Sequence, residues 1–191
     1  MSKELSELLS LFKEKKFSLA EKKCFKLIKK IKPNYEIFNI YAVILFELNK
    51  YNDAIKYWKK SIELNQKYFF GFNNLGNVYL KKNEFQTALK YYDKATEIKI
   101  DYFEAFHNKG NVFSKMNDLT NALKNYDKAL KIKSDYLPSI KGKSDIYVKQ
   151  KIFDKAILEL EKILIYEPNN INSYVQKADI LSQQNKLKEA I

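Results

Sequence analysis

The chain has 191 residues, 46% of them apolar and 30% charged, with four Gly and three Pro, which is enough for a buried core and leaves little material for linkers. One Cys excludes an internal disulfide, no paired Cys/His tract supplies metal ligands, and the longest apolar run, Ile40 to Phe46, is far too short to span a bilayer. The net charge of +12 comes from 35 basic residues, every one a Lys, against 23 acids; without the Arg fork that reads guanine edges, only diffuse, salt-sensitive attraction to nucleic acid remains and no specific nucleic-acid partner is expected.

At the N-terminus Glu4 and Glu7 stand where a signal peptide needs a basic start and an unbroken apolar stretch, so a soluble, reducing, cytoplasmic setting is expected. A step of 34 residues then organises the whole chain, bringing Ala20, Ala54, Ala88, Ala122, Ala156 and Ala190 into register. Three residues before that column stand Phe17, Tyr51, Phe85, Leu119, Phe153 and Leu187; four after it stand Cys24, Trp58, Tyr92, Tyr126 and Leu160. A second small-residue column runs through Ala42, Gly76, Gly110, Ser144 and Ala178, with Leu8 in the first copy, and Leu11, Leu45, Tyr79, Phe113, Tyr147 and Leu181 follow it by three. Spacings of three and four define one face of a helix, so each copy predicts two amphipathic helices whose axes approach closest at the small residues.

The predicted copies run 1–34, 35–68, 69–102, 103–136, 137–170 and 171–191, forming a single array. Asn49, Asn83, Asn117 and Asn185 fall between the two helices of their copies, where Asn tolerates the left-handed conformation that ends a helix. Polar links such as Lys32-Pro33-Asn34 and Glu167-Pro168-Asn169-Asn170 join successive copies, and no segment alternates as a strand does. The first copy is atypical, as a terminal unit facing water on one side should be, and the last stops inside its second helix, so the chain is expected to be a piece of a longer product.

This pattern resembles the tetratricopeptide repeat family, whose 34-residue units are helix-turn-helix pairs. The third copy carries the likeness most fully, as Phe72-x-x-Leu75-Gly76-x-x-Tyr79 followed by Ala88, Tyr92 and Ala95, with Phe72 in place of the family's Trp; the fourth repeats it as Phe106-x-x-Lys109-Gly110-x-x-Phe113, Ala122, Tyr126 and Ala129. The resemblance implies an all-α, right-handed superhelical α-solenoid of antiparallel helix pairs, acting as a non-enzymatic scaffold that binds a protein or peptide segment in its concave groove.

Half of the net charge lies in the first copy, where Lys22, Lys23, Lys26, Lys29 and Lys30 surround an apolar set of Ala20, Cys24, Leu27, Ile28 and Ile31. That cluster reads either as a basic patch for an acidic partner or anionic lipid, or as a solvated face that keeps the array soluble; the second is favoured because no aromatic is interleaved with the lysines. Catalysis has little to draw on. His107 is the sole His, Cys24 falls in a core column, the four Gly lie within first helices and not in phosphate loops, and neither a metal nor another cofactor is implied. His107 is placed to meet Asp145 of the next copy across the inner face.

The first helices are expected to line the groove, with an exposed polar stripe of Asn73, Asn74, Asn77 and Lys81, then His107, Asn108, Asn111 and Lys115, then Lys141, Asp145 and Lys149, then Gln176 and Asp179. Asn74 to Asn108 and Asn77 to Asn111 are each one period apart, a two-rung amide ladder able to pair with the backbone of an extended peptide. The ladder is similar to that of the O-linked N-acetylglucosamine transferase family, although Ile40, Val43, Gly142 and Asp145 occupy the neighbouring rungs. The carboxylate clamp that some family members use for chaperone C-termini is disfavoured, because Pro138 and Gly142 stand at its third-unit positions. Lys81, Lys115, Lys141 and Lys149 favour an acidic ligand. Two alternatives are a substrate-docking arm of a larger, glycosyltransferase-like transferase whose catalytic domain lies beyond this chain, and self-association through the C-terminal face around Leu181.

Overall fold

The computed structural model describes residues 3–189, and side chains from 6 to 185. The described residues form helices and short connections only, in the order α1 (Lys3–Lys13), α2 (Phe17–Lys30), α3 (Tyr35–Glu47), α4 (Tyr51–Leu64), α5 (Phe69–Lys81), α6 (Phe85–Ile98), α7 (Phe103–Lys115), α8 (Leu119–Ile132), α9 (Leu137–Lys149), α10 (Phe153–Tyr166) and α11 (Ile171–Glu189). The odd-numbered helices are the first members of the predicted pairs and the even-numbered ones the second, giving an all-α helical-repeat solenoid fold. Two compact units are distinguished, one up to Ile100 and one from Asp101 onward.

The turn within each pair explains why the helices stop where they do. Lys15, Asn49, Asn83, Asn117 and Lys151 all have φ between 56° and 61°, and each donates its N–H to the carbonyl three residues back while its successor donates to the carbonyl five back, as in Asn49 to Phe46 (2.9 Å) and Lys50 to Leu45 (2.9 Å). This Schellman closure satisfies carbonyls that a helix end leaves open. Asn185 was expected to end a helix in the same way, yet it lies inside α11, which runs unbroken from Ile171 to Glu189. No second helix packs there among the described residues to impose the turn, and Ala190 and Ile191 lie outside them.

The small-residue columns are the contact lines. Ala20, Ala54, Ala88, Ala122 and Ala156 are fully buried, and so are Cys24, Trp58, Tyr92 and Leu160 of the next column, with Tyr126 all but so. A Cβ on Gly76 would lie 2.5 Å from Cε1 of Tyr92, and one on Gly110 would lie 2.5 Å from Cε1 of Tyr126. Glycine is therefore required wherever the facing helix carries Tyr, while Ala42 suffices opposite Trp58 and Ser144 opposite Leu160. In the first unit the core runs from Leu8 and Cys24 through Tyr41, Ile44 and Trp58 to Leu75 and Val78. In the second, Ala122, Tyr126 and Ile146 form one cluster and Ile140, Leu160, Ile163 and Ile180 belong to another. Rings also tie the links between pairs, Tyr35 to Tyr68 at 4.9 Å and Phe103 to Tyr136 at 4.8 Å between centroids.

α11 differs from the other first helices in presenting an apolar stripe, Ile171, Tyr174, Val175 and Leu181, to solvent. Gly110→Ala is expected to lower stability by about 2 kcal/mol, because one added carbon must displace the buried Tyr126 ring at a close helix contact. Urea denaturation monitored by circular dichroism measures this, and an unchanged midpoint would contradict the packing.

Candidate functional site

A buried phenol needs a partner for its hydroxyl, and the structure supplies the same one in both units. Tyr92 of α6 donates to Oδ1 of Asn77 on α5 at 2.8 Å, and Tyr126 of α8 donates to Oδ1 of Asn111 on α7 at 2.7 Å. In the pair whose second helix carries Trp58, the indole Nε1 donates instead to Oδ1 of Asn39 at 2.9 Å, and the position matching Asn77 is Val43. In the pair that carries Leu160, the matching position is Asp145. Asn at this position thus tracks the Tyr hydroxyl, and the period that made Asn77 and Asn111 look like rungs of a ladder follows from the period of their tyrosines.

In the first unit Asn39 also accepts the amide N–H of Asn74, at 3.1 Å, so it joins α3, α4 and α5. Asn39 escaped the sequence reading, although it stands one period before Asn73 and 19 residues before the only Trp. Asn73, expected on the exposed stripe, is buried, and Asn39 and His107, one period before and after it, each bond to the next first helix within their own unit. Asn74 and Asn77 are half-buried and Lys81 is exposed.

In the second unit a relay of hydrogen bonds links α8, α7 and α9. Tyr126 donates to Asn111 Oδ1, Asn111 Nδ2 faces His107 Nε2 at 3.0 Å, and His107 Nδ1 faces Ser139 Oγ at 3.0 Å. With its carbonyl committed to Tyr126, the Asn111 amide presents N–H to the imidazole, so Nε2 is the acceptor and Nδ1 carries the proton. A second proton on the ring would set two donors against each other. Burial pushes the His107 pKa down to about 4, in agreement with that neutral form. Burial likewise pushes the Tyr126 phenol up to about 12, with the Asp145 charge adding to the effect.

His107 therefore does not pair with Asp145, as its spacing had suggested; both of its ring nitrogens are taken by Ser139 and Asn111. Asp145 remains on α9 near the Tyr126 end of the relay, its carboxyl raised above the ordinary range by desolvation and held back by Lys141. Asn108 is half-buried, and Lys115 and Lys141 are exposed. Lys149 reaches the turn of the preceding pair and donates to Oδ1 of Asn117 at 2.6 Å. Between α9 and α11 a cavity of about 300 Å³ is bordered by Lys141, Ser173 and Gln176.

Elsewhere, burial raises the Cys24 thiol to about 12, which leaves it a small apolar core residue. The lysines of α2 do have an aromatic among them: Phe25 is exposed, with Lys29 Nζ 4.4 Å from its ring centroid. Phe25 immediately follows the buried Cys24, which turns it outward. Among the described residues, no group of three or more His, Cys, Asp or Glu is placed to hold a metal ion, and no helix is long and apolar enough to cross a membrane.

The sequence pattern of the tetratricopeptide repeat matches residues 70–102 and 103–136, and a second TPR repeat pattern matches 43–83. No curated protein matches the chain by sequence. Among solved structures, a thermophilic TPR protein of Thermus thermophilus is similar over 93% of this chain and 97% of its own, at 17% identity and a TM-score of 0.77. A tetratricopeptide repeat protein from Parabacteroides merdae covers 98% of this chain with 74% of its own, at 16% identity and a TM-score of 0.75. YrrB, described as a TPR protein with an unusual peptide-binding site, covers 85% of this chain with 84% of its own, at 17% identity and a TM-score of 0.64. At these identities the likeness establishes the fold.

The relay makes a pH-dependent prediction. The unfolded chain binds the His107 proton with a pKa near 6.5 and the folded chain only near 4, so the unfolded state takes up more protons between those values. This contribution to stability is complete above pH 6.5, falls as the pH drops toward 4, and is about 3 kcal/mol at most. An NMR titration of the imidazole should show it neutral down to about pH 5; a midpoint near 6.5 would contradict the relay.

Proposed function

We propose that this chain, which belongs to the tetratricopeptide repeat family and so has the fold of a protein–protein interaction scaffold, binds peptide segments of its partners on the first-helix faces of its two units. The carrying observation is in the second unit, where the relay through Asn111, His107 and Ser139 fixes polar side chains on α7 and α9, and α9 turns another face, through Lys141, to the cavity it borders with Gln176 of α11. A surface whose donors and acceptors are already oriented loses less entropy when a ligand arrives. In this reading Asn108, Lys115, Lys141 and Asp145 contact the ligand, and Asn111 and His107 act through them as positioning residues.

In the first unit Asn74, whose Nδ2 is committed to Asn39, presents its Oδ1 to a peptide N–H, and Lys81 favours an acidic residue nearby. The exposed lysines on both faces make acidic segments the favoured ligands. The description of YrrB as a peptide-binding TPR protein supports the same class of ligand for a chain of this fold.

The test is capture of partners by the wild-type chain, by Asn74→Ala and by Asn108→Ala, in low and high salt. Each single substitution is expected to weaken partner retention about tenfold at unchanged helicity, with binding surviving high salt in the wild type. Partners retained equally by both variants and lost in salt would overturn the reading.

A further inference from the structure

In the second unit α8 and α10 flank an open trough of about 960 Å³, to which α9 contributes Ile140 and Lys143. It shares only α9 with the first-helix site above, and none of the residues proposed there. Its apolar lining comes from Leu123 and Leu130 of α8, both half-buried, and from the buried Ile140. Lys143 crosses between the two flanking helices, its Nζ 2.8 Å from Asp127 Oδ1 on α8 and 2.8 Å from Glu159 Oε1 on α10, while Lys162 meets the other oxygen of Glu159 at 3.1 Å. Burial works against the Lys143 ammonium, and the two carboxylates more than offset it, keeping the side chain charged. These four charges cancel, so the ion pairs brace the trough and contribute nothing net to its field.

What remains uncompensated is a stripe on α8. Lys124, Lys128 and Lys131 all line the trough and are spaced by four and three residues along one helix face. Lys128 lies 5.4 Å from the ring centroid of Phe106, a contact that holds its ammonium in place without neutralising it. No lining carboxylate other than the committed Asp127 faces the three. The result is a strip of positive charge beside an apolar floor, and the ligand that matches both is itself acidic on one side and apolar on the other.

We propose that this trough receives an acidic amphipathic helix of a partner protein, its carboxylates meeting Lys124, Lys128 and Lys131 while its apolar side chains settle over Leu123, Leu130 and Ile140. A helix is favoured over an extended strand because acidic residues at positions i, i+4 and i+7 reproduce the spacing of the lysines along α8. A single strand of nucleic acid is disfavoured because Tyr166 is the one aromatic in the lining, too few for a stacking platform.

The probe is a fluorescein-labelled peptide of about 14 residues with Glu and Leu at those helical spacings, compared by anisotropy with a scrambled peptide of the same composition, with polyglutamate and with oligo(dT). The patterned peptide is expected to bind most tightly, and Lys124→Glu with Lys131→Glu to weaken it about tenfold or more. Lys124→Gln with Lys131→Gln should give an intermediate loss, and Lys22→Glu with Lys29→Glu on α2 should leave binding unchanged. Absence of binding, equal binding of the patterned and scrambled peptides, tighter binding of oligo(dT), or equal losses from the α8 and α2 reversals would each overturn the proposal. Because Asn74 and Asn108 play no part here, this result stands or falls apart from that of the first-helix site.

Discussion

The closest approach of the two helices in each pair is the constraint on which the remainder depends. Where Tyr92 and Tyr126 project from the second helix, only Gly76 and Gly110 leave room for the ring, and burying the ring commits its hydroxyl to an asparagine on the facing helix. One large side chain thereby dictates a small residue by shape and an amide by hydrogen bonding. The pairs built on Trp58 and Leu160 show the converse, since a changed large side chain brings a changed small residue and releases the asparagine position to Val43 or Asp145.

That coupling reaches beyond the pair because the amides lie on the first helices. In the second unit the commitment of Asn111 to Tyr126 orients its N–H, which selects the neutral tautomer of His107, which in turn engages Ser139 on the next first helix. A packing requirement inside one pair is therefore transmitted to the polar surface between pairs. The lysine-lined trough beside α8 arises differently, from a buried ion-pair brace around Lys143 and from an excess of lysine on one helix face.

The helix pairs were legible because they rest on period and residue size, which a single sequence states directly. The left-handed turns were legible at Asn49, Asn83 and Asn117, and were missed at Lys15 and Lys151, where closure of the pair holds a residue with no local preference for positive φ. Asn185 shows the opposite error, a favourable residue with no packed second helix to bend for among the described residues. At the candidate site, the spacing of Asn74, Asn77, Asn108 and Asn111 defines one helix face and suggests an exposed amide stripe, whereas Asn74, Asn77 and Asn111 each bond a neighbouring side chain. The interval of 15 residues from Asn77 to Tyr92 and from Asn111 to Tyr126 was a readable signal for the bonds to tyrosine. The brace of Lys143, Asp127 and Glu159 also left a signal, since each carboxylate stands 16 residues from the lysine, an interval that the Lys177–Glu161 pair repeats.

The most direct measurement is a double-mutant cycle between Asn111→Ala and Tyr126→Phe, followed by urea unfolding of all four proteins. If the tyrosine anchors the amide, the two losses are coupled by about 1 kcal/mol, because either substitution alone already removes the shared hydrogen bond. Strictly additive losses would mean that the asparagine column is independent of the tyrosine column, and the account of how packing orders the polar face would be wrong.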